Sequence, residues 1–180
     1  MIQFTHNDIE VGSRLVEALV RQAQSLQGMP ITHGDLLTLA RSLHPKDAVL
    51  GRAVVVGIGP KLRFVEGFCA AHGYPNLASL AVGKGGKGEL EAERRAVAAF
   101  DWSTADAQLP AYADAIRATV PARFKPRKER PADVAWYAYF CSHRAACETL
   151  TQEDKQEIIN LLMAGLDPET ALKRVLAAKP

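Results

Sequence analysis

The chain has 180 residues, 48% of them hydrophobic and 23% charged, and its 22 Lys and Arg against 20 Asp and Glu leave a formal charge of +2. That balance is ordinary for a globular chain and excludes a polycation that holds nucleic acid by bulk charge alone. No apolar run approaches the ~20 residues that a membrane helix needs. The first ten residues lack the basic start and apolar core of a secretory leader, and the three cysteines are too few for a disulfide framework. The expectation is therefore a cytoplasmic protein with reduced thiols, no membrane partner and no required cofactor.

Ile9, Leu15, Val16, Leu19, Val20, Ala23 and Leu26 recur at helical spacing, with Asp8 placed to cap the start and Gly28 and Pro30 to stop the helix. A second helix follows Thr32, whose hydroxyl can take the amide of Asp35; Leu36, Leu37, Leu39, Ala40 and Leu43 form its apolar side. Residues 47–56 fit either a helix capped by Asp47 or, through Val54-Val55-Val56, a buried strand. Pro60 suits the first turn of the next helix, which buries Leu62, Phe64, Val65, Phe68 and Cys69 and ends at Gly73. Leu77–Val82 reads as a strand running into the glycine-rich loop 83–88, which carries Lys84 and Lys87.

Helices are expected over 89–100 and 111–119. Residues 121–131 carry three prolines and few aliphatic side chains, the composition of an extended linker. Three helices should follow, over 133–147, 152–164 and 168–177. Thr151 and Asp167 stand where caps belong, acids fill both first turns, and Gly165 closes the middle helix.

Charge is unevenly spread. Residues 1–88 carry +3 and 89–120 carry −3; the eleven residues 121–131 hold five basic groups and one acid, and 132–180 carry −2. Surface charge acts over about 8–10 Å, so a local patch matters more than the total.

Two glycine motifs fail as nucleotide loops. Gly86-Lys87 is followed by Gly88 where a phosphate loop needs Ser or Thr, and Gly57-Ile-Gly59 lacks the third glycine of a dinucleotide fold. Loop 83–88 is then either an ordinary exposed turn or a wing that lays Lys84 and Lys87 on phosphates. Cys141, His143 and Cys147 form a cluster with metal-ligand chemistry, but only His143 and Cys147 share a helical face, and a structural zinc site takes four ligands. Buried cysteines are expected there instead. Trp136, Tyr137, Tyr139 and Phe140 are expected to pack against the two helices that follow. No nucleophile elbow or catalytic cysteine signature is present.

Pro30-Ile-Thr-His-Gly-Asp-Leu-Leu-Thr-Leu-Ala40, Leu50-Gly-Arg-Ala-Val54 and Tyr74-Pro-Asn-Leu77 resemble, in order, motifs of the winged-helix domain of alkyltransferase-like DNA-binding proteins. The resemblance spans residues 12–88, less than half the chain, through short motifs. It implies a DNA-binding scaffold in which Arg52 is the residue that enters the base stack. The family's second-helix tyrosine falls on His33 and its alkyl acceptor on Asn76, so alkyl transfer is not implied.

The sequence thus describes a mainly α-helical protein with a small β element. Residues 1–105 are expected to form a winged-helix-like domain, 106–131 a short helix and basic linker, and 132–180 a helical bundle. The leading expectation is a non-enzymatic DNA-binding protein, a transcriptional or mobile-element accessory regulator. Its phosphate contacts would come from Arg52, Lys61, Arg63, Lys84, Lys87, Arg123, Lys125, Arg127, Lys128 and Arg130. The C-terminal helices would serve a homodimer or a protein partner. The alternatives are a protein-interaction module that uses its acidic helices, and an enzyme with a site between the two halves.

Overall fold

The computed structural model describes residues 4–25, 28–83, 91–120 and 132–178. The protein is mainly helical, with nine α-helices and one short strand pair among these residues. Helix α1 (His6–Ser25) is the element around which the N-terminal half is arranged, and it buries Ile9, Leu15, Val16, Leu19, Val20 and Ala23, as its spacing predicts. Its cap differs from expectation. Thr5 is the cap: its Oγ1 accepts the Asp8 amide at 3.2 Å, and Asp8 returns a carboxylate oxygen to the Thr5 amide at 3.0 Å. Asp8 therefore closes a capping box from inside the first turn and is itself fully buried.

Strand β1 (Ile31–Thr32) leads directly into α2 (His33–Leu43), where Thr32 accepts the amide of Asp35 as predicted. The ambiguous stretch 47–56 is neither one helix nor a strand. Asp47 caps the single turn α3 (Ala48–Gly51) through the amides of Val49 and Leu50, the chain opens at Ala53 and Val54, and residues 55–57 make a 3₁₀ turn into α4 (Ile58–His72). Gly73 ends α4 at φ +68°, the left-handed position that glycine occupies without steric cost.

The strand expected over 77–82 is mostly a 3₁₀ turn, 77–80, because Asn76 takes the amide of Ala78 and coils the chain; only β2 (Ala81–Val82) is extended. β2 pairs with β1 in parallel, Ile31 opposite Ala81 and Thr32 opposite Val82. α5 (Glu91–Ala99) follows. α6 (Ala105–Thr119) begins six residues before the expected start and carries Pro110 in its interior. A proline there forfeits a backbone hydrogen bond, and burial of Ala105, Leu109 and Ala113 offsets the loss.

The C-terminal part consists of α7 (Ala132–Ser142), a 3₁₀ turn at 144–147, α8 (Gln152–Ala164) and α9 (Pro168–Ala177). The helix expected over 133–147 breaks at His143, whose ψ of 36° leaves the helical region and whose ring stacks on Tyr139 at 4.0 Å. The other two expectations agree with the structure: Thr151 forms a capping box with Asp154, Asp167 caps α9 through the Thr170 amide, and Gly165 ends α8 at φ +107°.

The buried apolar side chains fall into two clusters. The larger gathers α1, α2, α4, residues 77–80, α5 and α6, with Trp102 closing one end. The smaller gathers Trp136, Cys147, Leu150, Ile158, Leu161, Leu162, Ala171, Leu172 and Val175, and among the described apolar residues of the N-terminal half Val56 alone packs against it. The aromatic expectation for α7 is met for Trp136, Tyr139 and Phe140, whereas Tyr137 is 67% exposed.

Backbone and ring meet closely in the larger cluster at Gly12, where a Cβ would stand 2.7 Å from the ring of the fully buried Phe64. Alanine gains about 1 kcal/mol of helix propensity over glycine, and overpacking costs about 1–3 kcal/mol. Gly12→Ala should therefore destabilise the protein by up to about 2 kcal/mol, measured as a lower midpoint in urea denaturation followed by tryptophan fluorescence.

Candidate functional site

Three helices each place one charged residue within an apolar stripe. On α4, Lys61 precedes Phe64, Val65 and Phe68 at helical intervals; on α8, Glu157 lies beside Ile158 and Leu161; on α1, Asp8 precedes Val11, Gly12 and Leu15. Packing these helices together brings the three charges to one point in the interior. Lys61 Nζ donates to Asp8 Oδ1 and to Glu157 Oε1, both at 3.2 Å, and Lys61 is only 1% exposed. Arg174 of α9 donates to Asp8 Oδ2 at 3.0 Å, an oxygen that also accepts from the Thr5 hydroxyl at 2.8 Å.

The second carboxylate is matched as fully. Glu157 Oε2 accepts from Asn160 Nδ2 at 3.2 Å, and the same amide nitrogen reaches the Arg52 carbonyl at 2.9 Å. The Glu157 carboxyl rests on Gly57, where a Cβ would come within 2.2 Å of it. Two cations and two anions thus form a closed group at the junction of the two apolar clusters. Burial pushes the Asp8 carboxyl up, but the Lys61 and Arg174 cations and the Thr5 hydrogen bonds outweigh it and hold the pKa below its ordinary 3.8.

This geometry corrects the expectation for Lys61, whose ammonium is enclosed by two carboxylates and cannot reach a phosphate in this arrangement. Arg52 and Arg63 are exposed, as a phosphate contact requires. The Arg52 guanidinium lies 3.1 Å from Met163 Sδ, and its backbone carbonyl is part of the junction. Lys84, Lys87, Arg123, Lys125, Arg127, Lys128 and Arg130 lie outside the described residues.

Two concave surfaces run along α1. A cleft of about 430 Å³ is lined by Glu17, Arg21, Leu43, His44 and Asp106, and a neighbouring one of about 360 Å³ by Arg14, Asp47 and Asp114. Several of their charged groups meet one another: His44 Nε2 lies 2.7 Å from Glu17, and Arg14 bridges Glu17 at 2.9 Å and Asp47 at 3.1 Å. Neither cleft reaches the buried cluster, and neither aligns a nucleophile with a base. Among the described residues no three His, Cys, Asp or Glu side chains converge as metal ligands. Cys69 and Cys147 are buried, and burial pushes the Cys69 thiol up to about 11, whereas Cys141 is exposed. No helix among the described residues is long and apolar enough to cross a membrane.

No protein-family model matches the sequence, and no curated protein and no solved structure is significantly similar to it.

Removing one member of a buried ion group leaves its partners uncompensated at a cost of about 3–5 kcal/mol. Lys61→Met should destabilise the protein by that amount in urea denaturation, because Asp8 and Glu157 then face each other without the ammonium. The depressed Asp8 pKa contributes stability above the ordinary carboxylate value, and that stability is lost as the pH falls through the folded-state value. Stability measured from pH 6 downward should therefore decline below about pH 4, and Asp8→Asn, although less stable at pH 6, should show a shallower decline.

Proposed function

We propose that this chain is a non-enzymatic DNA-binding protein whose principal contact is the basic connector 121–131. The observation that carries this reading is the concentration of charge: five Lys or Arg and one Glu in eleven residues, between two helical parts that each have an apolar cluster of their own. Phosphate contacts ask for exposed cations with reach and carry no sequence information of their own. The exposed Arg52 and Arg63 support the same reading, and Lys84 and Lys87 would add a basic loop beside them. Lys61 is not part of this surface.

In this proposal residues 1–105 act as a winged-helix-like unit, with α2, α3 and α4 as its helices and loop 83–88 as the wing. Residues 132–180 act as a helical bundle. The exposure of Arg52 at the end of α3 agrees with the resemblance to alkyltransferase-like proteins, while the parallel β1–β2 pair departs from the antiparallel hairpin that a wing would continue. The role of a transcriptional or mobile-element accessory regulator belongs to the same proposal. An enzyme with its site between the halves has less support, since the charges at that junction satisfy one another and stand away from both clefts.

The test is a salt titration of binding to a fluorescently labelled random DNA duplex. With five or six phosphates neutralised, log K should fall against log salt with a slope of about −4 to −6. Replacing Arg123, Lys125, Arg127, Lys128 and Arg130 together by Gln should remove most of that slope, and Arg63→Gln should reduce it by about one. Absence of binding at about 50 mM salt, where such contacts are strongest, overturns the proposal.

A further inference from the structure

Helix α7 has apolar residues all the way round. From Val134 to Ser142 it carries no charged side chain, and among the described residues one of its sides is in use: Trp136, Tyr139 and Phe140 pack into the smaller cluster with α8 and α9. The opposite side presents Val134, Tyr137, Ala138 and Cys141, all exposed, at the i, i+3, i+4, i+7 spacing of one continuous stripe. Val134 is 44% and Tyr137 67% exposed. An isolated exposed apolar side chain needs no explanation, but a two-turn stripe on a helix without charges beyond its first turn is built for contact on both sides.

We infer that this stripe is the contact face for a second copy of the chain, with the two α7 helices packed antiparallel about a two-fold axis between Tyr137 and Ala138. The pattern of side chains argues for this occupant. Across such an axis residue 134 meets 141 and residue 137 meets 138, so each large ring falls on the small Ala138 of the other copy and each Val134 on Cys141. Large-on-small pairing is what lets two helix faces interdigitate, and an isologous interface requires the same patch to be complementary to itself. Charge agrees as well. The acidic first turn, with Asp133, comes beside the end where His143 and Arg144 follow α7, and the antiparallel arrangement opposes the helix dipoles. A parallel arrangement would set Tyr137 against Tyr137 and Asp133 against Asp133.

The area is modest. A two-turn stripe falls short of the roughly 800 Å² per partner of a standard interface, so the dimer is expected to be weak and concentration-dependent. It does not depend on DNA binding, and a two-fold chain would present two copies of the basic connector.

Sedimentation velocity over a concentration series should show a reversible monomer–dimer equilibrium, and Tyr137→Asp, on the exposed face, should weaken it at least tenfold with unchanged circular dichroism. The register is tested by Val134→Cys. With diamide as the oxidant that takes up the two electrons and two protons, the new thiol should form a disulfide with Cys141 of the second copy. Within one chain the same two positions are about 10 Å apart along the helix, too far to bridge. Adding Cys141→Ser should abolish the covalent dimer. A protein that stays monomeric up to about 0.5 mM, in the regime of millimolar affinity, overturns the inference. So does a dimer indifferent to Tyr137→Asp, or one that still cross-links when Val134→Cys is combined with Cys141→Ser.

Discussion

The arrangement of this protein depends on the ammonium of Lys61 lying between the carboxylates of Asp8 and Glu157, with Arg174 closing the group. Asp8, Lys61 and Glu157 each take a place in their helix that an apolar side chain would otherwise fill. Burying a lone charge is costly enough that the group would neutralise or the helix would turn it outward. Here the four charges compensate one another, and Thr5, Asn160 and the Arg52 carbonyl engage groups left over. Such a group contributes less to net stability than an apolar replacement of the same shape could. What it does impose is position: α1, α4, α8 and α9 are held at one relative placement by directional contacts.

That constraint also explains why the two apolar clusters remain distinct. Between them lie the ion group and the Gly57 backbone against the Glu157 carboxyl, with Val56 as the one described N-terminal apolar side chain packed on the smaller cluster. Side-chain accommodation at Gly57 is impossible without displacing Glu157. A glycine that belongs to no nucleotide motif is thus the floor on which a buried carboxylate rests.

Much of the fold was legible in the sequence because it depends on local chemistry. Thr32 takes the Asp35 amide expected of it, Asp47, Thr151 and Asp167 accept first-turn amides as caps, and Gly73 and Gly165 end their helices in the left-handed conformation. The misreadings arose where a local side-chain contact or distant packing overrides periodicity. Asn76 coils a stretch of strand-like composition, the His143 ring stacks back on Tyr139 where α7 stops, and burial against α1 tolerates Pro110 inside α6. The candidate site was less legible. Lys61 looked like an exposed cation because its neighbours Arg63 and Pro60 suggest a basic helix start. The signal to the contrary was its place three, four and seven residues before Phe64, Val65 and Phe68. Its partners lie 53 and 96 residues away along the chain, and no spacing rule connects them.

The polar character of the junction has a calorimetric consequence. Exposing apolar surface raises heat capacity, whereas exposing polar surface lowers it. Lifting the C-terminal helices off the N-terminal part would uncover the ion group and the Gly57 backbone together with apolar surface such as Val56, so the two contributions would oppose each other. Melting either apolar cluster would carry the large positive increment typical of a hydrophobic core. Separation of the halves and loss of their interiors are therefore thermodynamically different events in the same chain, the first less curved with temperature than the second.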